Sequence, residues 1–191
     1  MPEQPYHHGN LRAALVDAGR ALLEEQGLAA LSLRAIAGRV GVSHAAPRNH
    51  FGTLRCLLTT IATEGFLAHA AALQVSLAEA RGAAARRAAI LDAYVDFATA
   101  RPQLFQLMFS KLHIDFGDPS LRKAAGASYA VLQAAAAPPG TAPKDRVKAE
   151  MHLWALAHGY AVLASAGFFG PEAQGDRRHA ASALLTANGC A

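Results

Sequence analysis

Leu33-Arg34-Ala35-Ile36-Ala37-Gly38-Arg39-Val40-Gly41-Val42-Ser43-His44-Ala45-Ala46-Pro47-Arg48-Asn49-His50 is the stretch that decides the fold. Ala37 and Gly41 stand four residues apart, and both must be small. Ala37 falls where two short helices cross most closely, so a larger side chain would push them apart. Gly41 falls at the turn, where glycine reaches a left-handed backbone angle without steric cost. Ile36, Val40 and Val42 supply the apolar patch that sets the crossing. Ser32 is placed to cap the first helix, and Ser43 to cap a second that runs to about Phe51. This is a helix-turn-helix pattern, whose second helix is free to lie in a DNA major groove. Ala-x-x-x-Gly alone recurs in many helical hairpins, so the weight lies in what surrounds it.

Working outward, the preceding helix carries Leu11, Leu15, Ala18 and Leu22 at helical spacing, and Gly27 stops it. Gly52-Thr53 restarts a long helix with Leu54, Leu57, Leu58, Ile61, Phe66 and Leu67. The 36 residues from Leu28 to Thr63 hold Arg34, Arg39, Arg48 and Arg55 and no aspartate or glutamate. A surface facing phosphate requires such a distribution. The net charge of +4 agrees with it but is less specific.

The whole chain reads as all-α. Ile90, Tyr94 and Phe97 form one apolar face, ended at Arg101-Pro102 because proline disfavours helix in its predecessor. Leu104 to Leu112 is a short apolar segment, and Pro119 opens a helix to about Ala137. Pro138 to Pro143 is a loop. Met151, Trp154, Ala155, His158 and Val162 make the expected face of a further helix, and residues 172–188 suit a last one. The expected division is a three-helix DNA-binding domain over 8–62 and a helical bundle over 63–191. Hydrophobic residues make up 52% of the chain and charged residues 17%, which is too apolar for disorder. The N-terminal residues are polar, no run of eighteen uncharged apolar residues occurs, and Cys56 and Cys190 form no close pair. A cytoplasmic protein without a membrane span or a disulfide scaffold is expected.

Leu31-Ser32-Leu33-Arg34-Ala35-Ile36-Ala37, then Gly41-Val42-Ser43, His50-Phe51 and Leu57-Leu58, resemble the DNA-binding domain of the TetR family. Trp154-Ala155-Leu156-Ala157-His158-Gly159 and Arg101 to Phe109 resemble that family's C-terminal domain of the WHG type. The resemblance implies a homodimer on a double-stranded, palindromic DNA operator, with release by a small-molecule effector of unknown identity. Repression is the family default. The family's usual tyrosine two residues before His-Phe is replaced by Arg48, and its usual lysine at the start of the next helix by Leu54. Arg55 follows Leu54 but points about 100° away round the helix. A cation in a first turn opposes the helix dipole, so Arg55 is expected to meet phosphate. The expected base-reading residues are His44, Arg48 and Asn49, with Ser43, His50, Thr53 and Arg55 on the backbone. Pro47 takes the inner, apolar position of the reading helix.

For the C-terminal half, Tyr94, Phe97, Phe105, Met108, Phe109, Tyr129, Trp154 and His158 are the side chains available to line an effector cavity. A buried His158 needs a polar partner. Ala155, Tyr160, Leu163, Phe168 and Leu184 are the candidates for a dimer face. An enzyme is not expected: there is no Glu-x-x-His pair, HExxH, G-x-S-x-G, glycine-rich phosphate loop or cysteine cluster. No metal or cofactor is implied. A purely structural bundle would leave the acid-free arginine stretch unexplained.

Overall fold

The computed structural model describes residues 8–169, and within them the chain forms eight α-helices and no strand. They are α1 (His8–Gln26), α2 (Leu33–Val40), α3 (Ala46–Phe51), α4 (Leu54–Glu79), α5 (Ala83–Ala100), α6 (Pro102–Met108), α7 (Pro119–Ala136) and α8 (Pro143–Ser165). A single 3-10 turn, Leu28–Ala30, joins α1 to α2. The helix expected over 172–188, with Leu184, lies outside the described residues.

Two compact units divide these helices. The first runs to Gly65 and takes in Gln103–Arg122; the second comprises Phe66–Pro102 and the chain from Lys123 onward. In the first, α1, α2 and α3 pack on one another. Leu15, Leu23, Ile36, Leu57 and Ile61 are fully buried there. Gly19 lets α1 approach α4: a Cβ at Gly19 would stand 2.9 Å from Ile61 Cδ1 and 3.1 Å from Leu57 Cδ2. Gly65 does the same for α6, whose Met108 Sδ would lie 2.9 Å from a Cβ there. The start of α6 is held from α1, since the Leu104 amide donates to Glu24 Oε1 at 2.8 Å. A carboxylate at a helix start satisfies an orphan donor and meets the positive end of the dipole.

In the second unit α5 and α8 make the main pairing. The face of α8 that is buried carries Glu150, Leu153, Ala157, Ala161 and Ala164. This corrects the expected face: Met151 and Val162 are exposed, and Trp154 and His158 are half-buried. The large side chains pointed to one side, but small alanines allow the closer helix approach and take the packing side. The expected loop spans 137–142, with Pro143 opening α8 instead of closing the loop, and helices α5 and α7 follow the sequence expectation. Of the described helices, α4 alone is long and apolar enough to cross a membrane, and 56% of its apolar window is buried inside the fold.

Candidate DNA interface and effector site

Ser32 Oγ accepts the Ala35 amide at 3.0 Å, so the expected cap starts α2. Gly41 ends that helix at φ 77°, ψ 29°, and Ala37 is fully buried. The expected cap at Ser43 is not made. Residues 43–45 form a turn in which the Ser43 carbonyl accepts the Ala46 amide, and α3 begins at Ala46 without a side-chain cap. Proline explains the shift: Pro47 sits in the first turn, where its missing N–H removes no helical bond.

Pro47 and Phe51, one turn apart, are the buried side of α3. Arg12 on α1 lies over the Phe51 ring at 4.8 Å, a cation–π contact that ties the reading helix to α1. The opposite side exposes Arg48, Asn49 and His50, with Ser43 and His44 exposed in the turn before it. Gly52, at φ 71°, turns the chain into α4, whose first turn is capped by Thr53 Oγ1 accepting the Cys56 amide at 3.2 Å. Each of the expected base-reading and backbone residues from Ser43 to Thr53 is thus exposed.

The four arginines of the acid-free stretch have different fates. Arg39 makes a bidentate pair with Glu25 of α1, both N···O distances being 2.6 Å. That bond holds the Glu25 carboxyl below, and the Arg39 guanidinium above, the ordinary value. Arg55 donates to the Ile114 carbonyl at 2.9 Å. One turn later Thr59 Oγ1 accepts the Asp115 amide at 2.9 Å, so α4 clamps the loop after α6 through both side chains. Arg55 therefore has an intramolecular acceptor for one of its five N–H donors. Arg34 and Arg48 are exposed and in no ion pair among the described residues. Linear spacing hid Glu25, which lies outside the stretch.

The eight expected effector residues are shared between the two compact units. Phe105, Met108 and Phe109 fall in the first unit, where Phe105 and Phe109 rings stand 5.1 Å apart. Tyr94, Phe97, Tyr129, Trp154 and His158 fall in the second. There the partner of His158 is the Tyr94 hydroxyl, 3.0 Å from Nδ1. Trp154 lies edge-on to Tyr129 at 5.5 Å. The residue the sequence reading missed is His69 on α4. It is 1% exposed, stands edge-on to Tyr94 at 4.6 Å and Phe97 at 4.9 Å, and places Nδ1 2.7 Å from Ser128 Oγ. Its Nε2 has no hydrogen-bond partner among the described residues. Burial, with a smaller contribution from the His158 charge, pushes the imidazole down to about 4. Burial likewise lowers His158 and raises the Tyr94 phenol. Burial therefore favours the uncharged forms of His69, His158 and Tyr94. Among the described residues no three His, Cys, Asp or Glu side chains gather around a metal position.

Of the expected dimer face, Ala155, Leu163 and Phe168 are exposed, and Tyr160 stacks on Phe169 at 4.8 Å.

The sequence matches the family profile for bacterial regulatory proteins, tetR family, over residues 15–57. It matches the profile for a tetracyclin repressor-like C-terminal domain over residues 87–187, a description that does not specify the WHG subgroup. No curated protein matches the sequence. A protein with unknown function from Rhodococcus sp. RHA1 is 37% identical, over 95% of this chain and 96% of its own, with a TM-score of 0.79. A TetR-family transcriptional regulator from Streptomyces coelicolor is 23% identical over 92% of this chain and 95% of its own, with a TM-score of 0.63. The multidrug binding protein EbrR, complexed with imidazole, is 22% identical over 97% and 94%, with a TM-score of 0.60. The last two likenesses are of fold. With a helix-turn-helix built on Ser32, Ala37 and Gly41, and with both profiles matched, the chain belongs to the TetR family of DNA-binding transcriptional regulators.

Proposed function

We propose that the protein is a cytoplasmic, non-enzymatic repressor that binds a palindromic operator as a homodimer and leaves it when a small effector binds. The observation that carries this reading is the surface of α3, where Pro47 and Phe51 turn inward and Arg48, Asn49 and His50 outward. Arg48 and Asn49, with His44 in the turn, would address base edges, and Ser43, His50 and Thr53 the phosphates. Arg48 in place of a tyrosine adds a bidentate donor suited to guanine O6 and N7. Arg55 can reach phosphate only with the donors left over from Ile114.

Two-fold symmetry follows if α8 is the dimer helix. Val147, Met151, Val162 and Leu163 are exposed apolar side chains on it. Ala155 and Gly159 between them are small enough for close approach of a second helix. Effector recognition is assigned to the Tyr94, Phe97, Tyr129, Trp154 and His158 group with His69 added. An effector acts only through different affinities for the DNA-competent and DNA-incompetent dimers. Helix α4 is the element that would transmit that difference, because its sequence passes from one compact unit into the other.

The test is selection of the purified protein against a random duplex DNA pool, repeated with Arg48→Ala. An enriched palindrome whose binding weakens steeply with salt supports the reading. The variant is expected to lose about 1–3 kcal/mol on that site. Absence of any enriched motif, in a chain that keeps its helical circular dichroism, would remove the operator reading.

A further inference from the structure

At the end of the second unit, where α5 starts and α7 gives way to α8, lies an open cleft of about 760 Å³. None of the aromatic residues assigned to the effector lines it. Its wall is apolar and short-chained, from Ala83, Ala134, Ala137, Pro138 and Pro139. Two guanidinium groups border it, the half-buried Arg86 on α5 and the exposed Arg146 on α8. Each makes one long contact, Arg86 to the Ala134 carbonyl at 3.4 Å and Arg146 to the Thr141 carbonyl at 3.4 Å. A guanidinium has five N–H donors, so most of these are uncommitted.

Neither arginine is in an ion pair among the described residues. The missing pair is informative. Glu150 lines the same cleft one turn after Arg146, at the spacing that normally pairs such charges. Its carboxylate instead accepts from Gln133 Nε2 at 2.9 Å, and Glu150 is only 7% exposed. The amide end of α5, at Gly82 and Ala83, opens on the same space and favours negative charge there.

We propose that this cleft binds a small aliphatic monocarboxylate, with Arg86 and Arg146 holding the carboxylate and the Ala and Pro wall holding the hydrocarbon. A planar carboxylate fits the guanidinium fork. Glu150 sets the selectivity: a second carboxylate on the ligand would meet a buried like charge, so dicarboxylates bind more weakly.

The test is thermal unfolding and calorimetry of the full chain with sodium butanoate, hexanoate and octanoate. Sodium chloride, 1-hexanol and adipate serve as controls. A saturable rise in Tm with a monocarboxylate, absent with chloride and hexanol and smaller with adipate, is the expected result. Arg86→Gln and Arg146→Gln should each weaken binding about tenfold, the loss expected for one charge-assisted hydrogen bond. Ala83→Phe, which narrows the cleft on the Arg86 side and keeps both charges, should weaken the response. No saturable shift across the three acids overturns the proposal, as does adipate binding as tightly as hexanoate. So does a full hexanoate response in the double arginine variant, which would leave Arg86 only as a cap on α7. No DNA enters the measurement, so its result is independent of the operator reading.

Discussion

Arg55 and His69 are single side chains whose hydrogen-bond partners, Ile114 and Ser128, lie far away in the sequence. Arg55 spends a charged hydrogen bond on Ile114. Arg55→Ala should therefore cost about 2 kcal/mol in urea unfolding without any DNA present. A residue serving phosphate alone would leave that midpoint unchanged. His69 carries a pH dependence. The unfolded chain takes a proton near the ordinary value of 6.5, while the folded chain refuses it until about 4. The unfolded state thus binds more protons in that window, and the stability present above pH 6.5 is lost as the pH falls through it. By pH 4 the loss is about 3 kcal/mol. Tm measured between pH 7 and pH 4.5 should fall, and His69→Gln should flatten the slope. A slope unchanged in that variant would place the titration on His158 or another group.

At the scale of the element, legibility tracks how local the cause is. The turn between α2 and α3 was readable because Ser32, Ala37 and Gly41 act within a few residues of themselves. A cap at Ser43 puts the start of α3 a short turn too early, because proline at 47 constrains the first helical residues. The facing of helix α8 is poorly legible in the sequence, since Ala157, Ala161 and Ala164 contribute little hydrophobic signal yet form its packing side. The same difficulty hid Gly19, whose role exists only because Leu57 and Ile61 arrive from α4. Gly19→Val is expected to cost about 1–3 kcal/mol through overpacking, read as a lower urea midpoint. If Leu57 and Ile61 repack without cost, the variant will match the wild type. The aromatic group of the second unit was legible as a set of residue types. Its division by compact unit was not, because the aromatic pattern gives no information on which unit Phe105, Met108 and Phe109 join.

For the whole molecule, the exposed apolar stripe on α8 makes the oligomeric state the sharpest question. Paired Met151→Lys and Leu163→Glu substitutions should convert a dimer to a monomer by sedimentation while keeping the helical circular dichroism. Operator affinity should fall with the dimer, since each protomer then reads half a site. A variant that remains dimeric would move the interface elsewhere. The first compact unit, meanwhile, is assembled from two separate parts of the chain. Gln103–Arg122 belongs to it, anchored by Glu24 at the start of α6, by Gly65 beneath Met108, and by Arg55 and Thr59 on the following loop. Anyone recombining this protein with a relative, to give one member's reading head another's sensor, therefore cannot do it with a single crossover near residue 65. The graft has to carry the distant segment with it, or the new head arrives without the piece that closes its own core.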